Sequence, residues 1–428
     1  MYRRINIINY RCFNSLDVSF VDNRQSLKQT IIILGENNTG KTALISAFIL
    51  LRKSIESFLF ETNETSVNIF YEASIRQEIQ DCVLDQNKPV SLSVELQIGG
   101  AHLRYTLVYS ACGFLLTESL EKFSHGEFKS IYHLSEQTIH FGKRYFTQQQ
   151  RNLIDALHAA HGQRYTLLSY LRYLIWMNHP DFTPELLNAT LLDLILFLSR
   201  AYLYSDENNY SHYDMFNRIR EVNVHPLHGQ CSDEGKHLLK SVEPLISAVI
   251  HWLFPAYEYV QYHFNLDNSY QLYFYPVHKT RNPRAIPYTQ LSKSTQTFIQ
   301  HFPGFLNAYR EQSFIADDFD RGLNHFLLQE LFSGFLPKFN GQLILSVTSS
   351  DICEWVEPAS LYICQMDDEM NYKISCIQDR FKTQKNNNNR NRYEKGRFGK
   401  MNYTIDVTML SKLRVLDQYL NKIGTMFW

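Results

Sequence analysis

At 428 residues the chain has room for two or three domains, or for one core with a large insertion, and is far too long for a disulfide-stapled mini-protein. Hydrophobic residues make up 44% and charged residues 20%, with 29 Phe and 27 Tyr, so a sizeable core is affordable and global disorder is disfavoured. Lys plus Arg number 42 against 43 Asp plus Glu; the net charge of −1 gives no global electrostatic reason for a nucleic-acid or membrane partner, and any such partner must use a local patch.

The N-terminus, MYRRINIINYRCF, alternates polar and apolar positions and reads as a first strand rather than a leader. The seven cysteines (Cys12, Cys82, Cys112, Cys231, Cys353, Cys364 and Cys376) are odd in number, scattered and without a Cys-x-x-Cys pair, as expected in a reducing compartment. The longest apolar stretches are broken by Asn188, Thr190 and Asp193 in one case and by Ser247 and His251 in the other. No membrane span is expected, and the reading is a soluble cytoplasmic protein.

Residues 30–34, TIIIL, predict a short buried strand; GENNTGKT follows as a turn, and ALISAFILLRKSIESFLF is too long and too densely apolar for anything but a helix. Residues 90–120 predict antiparallel strands, with Gly99 and Gly100 as a hairpin turn. From 147 to 256 glycine is scarce and Leu recurs at helical spacing; one helix is expected to start at Thr183, and a polar break falls near 205–212. VQYHFNLDNSYQLYFYPV predicts a hairpin around Asp267 and Asn268. SFIADD and QLILSVTSSD predict buried parallel strands ending in small or acidic residues. Residues 380–400 hold eight Lys or Arg against one Glu, and 409–424 predicts an amphipathic closing helix. The expected fold class is α/β with three parts: 1–146, 147–256 as a large helical insertion, and 257–428.

Gly35, Glu36, Asn37, Asn38, Thr39, Gly40, Lys41 and Thr42 fit G-x-x-x-x-G-K-[ST] between a strand and a helix. In that order the glycines let the backbone wrap, successive N–H groups face a phosphate chain, Lys41 neutralises charge and the Thr42 hydroxyl ligates magnesium. Such a loop needs an acid at the end of another buried strand. Asp317 is placed as the magnesium-side acid and Asp318 as the base or water-positioning group. Asp-Asp-Phe-Asp before an apolar run is also good helix-capping chemistry, and that alternative stands.

These segments resemble a family. Ile7, Ile8, Asn9, Tyr10, Arg11, Cys12 and Phe13 are similar to the I-x-N-[FY]-R-x-F first strand of RecF/SMC-like and OLD-type ABC ATPases. GENNTGKT is similar to their phosphate loop, and the strand patch ending Thr117, Glu118, Ser119, Leu120 to the OLD-type β-subdomain. Gln290 to Gln296, QLSKSTQ, resembles the L-S-S-G-T-Q signature; DDFDRGLNH from Asp317 resembles D-E-P-E-x-G-L-H-P; QLILSVTS resembles Q-x-I-[FL]-T-T-H-S. The resemblance implies a P-loop ABC-type ATPase head with an antiparallel β-subdomain, ATP and Mg2+ as cofactors, and Ser292 and Ser294 facing ATP held by a second copy, hence a homodimer or larger ring.

The departures fall on catalytic elements. Ser294 replaces the signature glycine, Asp318 replaces a glutamate one methylene longer, and Thr348 stands where the family has a phosphate-sensing histidine. Weak or absent hydrolysis is the expectation, with Lys41 and Asp318 the residues that any turnover would use. OLD-type proteins carry a Toprim nuclease, but only 77 residues follow Asp351, so a nuclease is expected on a separate chain. The resemblance then extends to ATPase subunits of two-gene antiphage systems such as PARIS and Septu, where an ATPase multimer holds an effector and activates or releases it on sensing a phage product. The competing readings are a RecF-like DNA-repair ATPase and an interaction protein with a vestigial nucleotide site.

Other clusters are weaker. His225, His228, Cys231, Asp233 and His237 lack the paired spacing of a zinc site and read as a polar loop. The basic stretch from Arg380 to Lys400, with Phe381, Tyr393 and Phe398 interleaved, reads equally as a nucleic-acid contact and as a solvated loop.

Overall fold

Alternating side chains at the N-terminus form β1 (Tyr2–Tyr10) in the computed structural model, and a turn at Arg11 and Cys12 returns the chain as β2 (Phe13–Ser19). The structure describes residues 1–36, 39–62, 69–135, 138–205, 210–211, 227–277, 284–366, 371–380, 389–395 and 397–398. β3 (Thr30–Leu34) runs into the glycine-bounded loop, then α1 (Lys41–Thr62) and α2 (Ile69–Cys82). β4 (Val90–Ile98), β5 (Ala101–Tyr109), β6 (Leu115–Ser124), β7 (Glu127–Leu134) and β8 (Ile139–Phe141) follow as a meander.

Helices α3 (Gln148–His161), α4 (Leu167–Trp176) and α5 (Ala189–Arg200) come next, each with a polar N-cap. Thr183 does not start α5 as expected. Leu186 and Leu187 close a single turn onto Thr183 O, and the helix begins only where the Asn188 side chain accepts the Thr190 N–H at 3.0 Å. The chain continues through β9 (Tyr202–Ser205), β10 (Tyr210–Ser211), β11 (His228–Gln230), α6 (Asp233–Leu253), β12 (Tyr257–Phe264), β13 (Ser269–Pro276) and β14 (Ile286–Pro287). It ends through α7 (Lys293–Tyr309), β15 (Ser313–Ala316), α8 (His325–Glu330), β16 (Gln342–Val347), α9 (Ile352–Trp355), β17 (Leu361–Met366), β18 (Tyr372–Cys376), α10 (Ile377–Arg380) and α11 (Asn389–Glu394). Asn37, Asn38, most of the basic stretch and the expected helix at 409–424 lie outside the described residues.

Among the described residues the strands form two seven-stranded sheets and one of four strands. The first sheet is antiparallel, in the order β2-β1-β4-β5-β6-β7-β8. The second has the order β10-β9-β15-β16-β3-β17-β18; its five inner strands are parallel, and β10 and β18 are antiparallel edges. β9 lies within 147–256, so that segment supplies a strand of the parallel sheet as well as helices. The run AYLYS follows the end of α5 directly and carries no turn signal, which is why it reads as more helix.

The parallel sheet is buried on both faces. Ile31 and Ile33 of β3, Ile315 and Ile344 point into a core shared with α1 and the antiparallel sheet; Ile32 and Leu34, Phe314 and Leu345 point into a second core with α7. Full burial of one such side chain contributes about 1.5–3 kcal/mol, so unbroken apolar runs are what this sheet requires. Polar groups tie the first core together. Glu118 on β6 accepts from Tyr105 Oη at 2.8 Å, Tyr132 Oη at 2.7 Å and the α4 N-terminal amides of Leu167 at 2.5 Å and Leu168 at 3.3 Å. Arg52 and Arg172 both pair with buried Glu56, at 2.7 and 3.4 Å, joining α1 to α4.

Candidate nucleotide site

The loop after β3 is built around its glycines. Gly40 has φ +98°, and a Cβ there would lie 3.0 Å from the Phe13 ring; a Cβ on Gly35 would lie 2.6 Å from Thr39 Oγ1 and 2.9 Å from Cys364 Cβ. The Thr39 hydroxyl donates to Glu36 O at 2.7 Å, and Cys364 Sγ on neighbouring β17 donates to Thr39 O at 2.7 Å. Loop curvature is thereby set from inside and from the adjacent strand.

Lys41 is 5% exposed and donates from Nζ to Gly35 O at 2.6 Å and Glu36 O at 2.9 Å. The amine is thus curled into its own loop, where a phosphate would meet it. Burial lowers its pKa from the ordinary lysine value, while Asp318, Cys364, Asp317 and Asp320 act to raise it.

Asp317 follows β15 and is 4% exposed. Its Oδ1 accepts the Ser346 hydroxyl from the adjoining strand β16, and its carboxylate also bonds the Thr42 side chain. Burial pushes its pKa up, opposed by Ser346, Thr42 and Lys41. Asp318 has φ +45°, in the left-handed region, and its backbone N–H donates to Ser346 Oγ at 2.8 Å. Its pKa is also raised, first by burial and then by Asp317, with Lys41 opposing. Asp320 takes the Thr348 N–H at 3.0 Å, the Thr348 hydroxyl at 3.1 Å and the Ser349 N–H at 2.7 Å, so Thr348 is committed to that carboxylate.

A cleft of about 650 Å³ opens over this assembly, lined by Glu36, Thr39, Gly40, Lys41, Thr42 and Asp318 together with Arg11, Cys12, Cys82 and Tyr372 among others. The structure therefore brings together Gly35, Glu36, Thr39, Gly40, Lys41, Thr42, Asp317 and Asp318. Ser292 and Ser294 do not line this cleft. Ser292 caps α7 by accepting the Thr295 N–H at 3.2 Å, and Ser294 Oγ accepts the Asn324 N–H at 3.2 Å.

The oxygen donors fit magnesium, a hard cation that keeps several waters and takes one or two carboxylates or hydroxyls. Thr42 and Asp317, already in contact, would hold it, and the bound ion would neutralise phosphate charge beside Lys41. Sequence reasoning missed Ser346, Asp320 and Cys364. The hydroxyl in QLILSVTS was a visible signal for Ser346, whereas the other two depend on strand adjacency.

In the basic stretch, Arg390 is engaged by Asp351 at 2.7 Å, Glu394 at 2.8 Å and Glu354 at 3.5 Å, and Arg392 lies 4.9 Å from the Phe398 ring centroid. Among the described residues no group of three or more His, Cys, Asp or Glu could hold a metal, and no helix is long and apolar enough to cross a membrane.

A parallel sheet with a glycine-bounded loop after β3, an acid after β15 and an antiparallel sheet packed with α1 define an α/β fold with the strand, loop and helix order of a P-loop protein. No family model and no curated protein matches the chain. Among solved structures it is similar to the SMC head domain from Thermotoga maritima, at 11% identity over 88% of this chain and 98% of that one, with a TM-score of 0.37. It is also similar to the Smc head domain with an extended coiled coil bound to the C-terminal domain of ScpA from Pyrococcus furiosus, at 10% identity over 87% and 95% of the two chains, with a TM-score of 0.39. The functional reading rests on the site itself.

Proposed function

We propose that this chain is an ATP-binding ABC-type head that holds ATP with Mg2+ between two copies, turns it over slowly, and serves as the sensor or scaffold subunit of a bacterial antiphage system with a separate effector nuclease. The observation that carries the nucleotide reading is the cluster of Lys41, Thr42, Asp317 and Ser346 at the mouth of the glycine-bounded loop. Slow turnover is supported by Asp318. Its side chain is short, and its backbone sits in the left-handed region with its N–H bonded to Ser346 Oγ. A general base needs reach, and Asp318 is one methylene shorter than a glutamate.

Ser292 and Ser294, at the start of α7 and outside the cleft of their own chain, fit a role on the nucleotide of a second copy, where a phage-derived trigger or the effector would sense the closed state. Light scattering with and without ATP and Mg2+ tests this. Nucleotide should drive association in the native chain but not in Lys41→Ala, and Ser294→Arg should bind nucleotide yet stay monomeric. Association indifferent to both changes would overturn the clamp. The defence role is tested by plaque counts in cells carrying the chain with its neighbouring genes: absence of protection would contradict it, and protection that survives Lys41→Ala would contradict its dependence on nucleotide.

A further inference from the structure

The four-stranded sheet has two different faces. Val260, Tyr262, Leu272 and Phe274 point inward and share a core with Leu239, Ile246 and Ile250 of α6. The outward positions, one residue out of phase along β12 and β13, are aromatic as well. Tyr259 and Tyr275 stack across the strands with centroids 4.4 Å apart and planes at 13°; His263 and Tyr273 stack at 4.1 Å and 20°. On the other flank of β13, His228 of β11 stacks on Tyr288 at 5.0 Å and 6°.

Polar contacts order this array without covering it. His263 Nε2 and Tyr275 Oη are 3.0 Å apart, and Tyr275 Oη donates to Gln261 Oε1 at 3.3 Å. Tyr259 is 39% exposed, and Gln261, His263 and His228 are exposed. Among the described residues, β12 and β13 pack against α6, β11, β14 and the turn after β14, and α6 takes the inward face.

We infer that this outward face is a stacking surface for the unpaired bases of a single-stranded nucleic acid. Pre-stacked Tyr and His rings offer π-faces that any base can extend, and the amides of Gln261 and Gln271 lie between them, matched to base edges. The in-phase outward positions of β12 and β13 hold no carboxylate; Glu258 falls in the β12 bulge. The link from β13 to β14, residues 277–285, carries Lys279, Arg281 and Arg284 with no acid, and Arg284 is exposed where the chain re-enters the sheet. A ring surface in a sheet whose strand link ends in an exposed arginine, Arg284, suits a polyanion whose bases are free to stack. A duplex keeps its bases stacked inside and would leave these rings without a base to extend.

Fluorescence anisotropy of the full chain with a labelled 15-nucleotide oligo-dA tests the assignment. Saturable binding should be competed by unlabelled single strand and not by duplex. His263→Leu with Tyr273→Leu should weaken it by about tenfold or more, since each lost stack carries that order of affinity. The variant should keep its melting temperature and its Mg-ATP binding. Ultraviolet crosslinking of a 4-thiothymidine oligomer to the unaltered chain covers the case where the variant does not fold: crosslinks should map within residues 257–276. Absence of saturable binding, equal competition by duplex, affinity unchanged in a folded double variant, or crosslinks confined to 380–400 would each overturn it.

Discussion

The hydroxyl of Ser346 donates to Asp317 Oδ1 and at the same time accepts the backbone N–H of Asp318 at 2.8 Å. One buried side chain on β16 thus positions Asp317, the proposed magnesium ligand, and bonds the backbone of Asp318 in its left-handed conformation. Ser346→Ala leaves the Asp318 N–H without that acceptor, at about 1–3 kcal/mol, and removes an interaction that favours the charged form of Asp317 against burial. The expected result is roughly tenfold weaker Mg-ATP binding with little change in Mg-free binding, the fold-change following from about 1.4 kcal/mol. Titration with a fluorescent ATP analogue across magnesium concentrations checks it; equal loss with and without magnesium would point to simple unfolding.

Asp317 and Asp318 both have raised pKa values. A carboxyl whose folded pKa lies above its unfolded value stabilises the free chain fully below the unfolded value, and that stabilisation is lost as pH rises through the folded value. Magnesium needs the ionised form, so ligand affinity should run the other way. It should begin to fall on acidification at a pH above the ordinary aspartate range. Binding isotherms between pH 4 and pH 8, a range of about four units around the usual carboxylate and histidine values, test this. Affinity that stays constant down to the ordinary aspartate pKa would contradict the burial argument.

Two of the glycines with positive φ give a matched comparison. Gly40→Ala meets both a left-handed backbone and the Phe13 ring, whereas Gly100→Ala, at φ +79° in the β4–β5 turn, meets open space. Gly100→Ala should cost about 1 kcal/mol of stability and leave nucleotide binding intact. Gly40→Ala should abolish binding. Urea unfolding and ATP titration of both variants would show whether the loop depends on this close approach.

Glu118→Ala strands two tyrosine hydroxyls and two helix N-terminal amides in the core, each at about 1–3 kcal/mol. The variant should be severely destabilised or insoluble. Tyr132→Phe removes one donor and should cost about 1 kcal/mol. Urea denaturation of Tyr132→Phe and the soluble yield of Glu118→Ala test this clamp between β6 and α4.

Much of the head was legible because its signals are local. TIIIL before GENNTGKT declares a buried strand and a wrapped loop, and Gly99–Gly100 and Asp267–Asn268 both form the expected hairpin turns. What stayed hidden depends on neighbours in space. β9 is four residues long and gains its identity by lying beside β15, with Tyr202 opposite Phe314. Glu118 reads as an ordinary polar position on an alternating strand until α4 sets its N-terminus against it. Ser346 is visible as a hydroxyl in a strand, but its role requires β16 to adjoin β15. Arg390 counted toward a basic patch, yet three carboxylates of its own chain surround it.

The central claim is that Lys41, Thr42 and Asp317 hold ATP while Asp318 turns it over poorly. Denaturing freshly purified protein and identifying the released nucleotide by chromatography, per chain, tests that directly. ATP near one per chain in the native protein, and none in Lys41→Ala, is the predicted result. ADP in its place would show Asp318 competent for hydrolysis, and no nucleotide with no uptake on adding Mg-ATP would show the site to be vestigial.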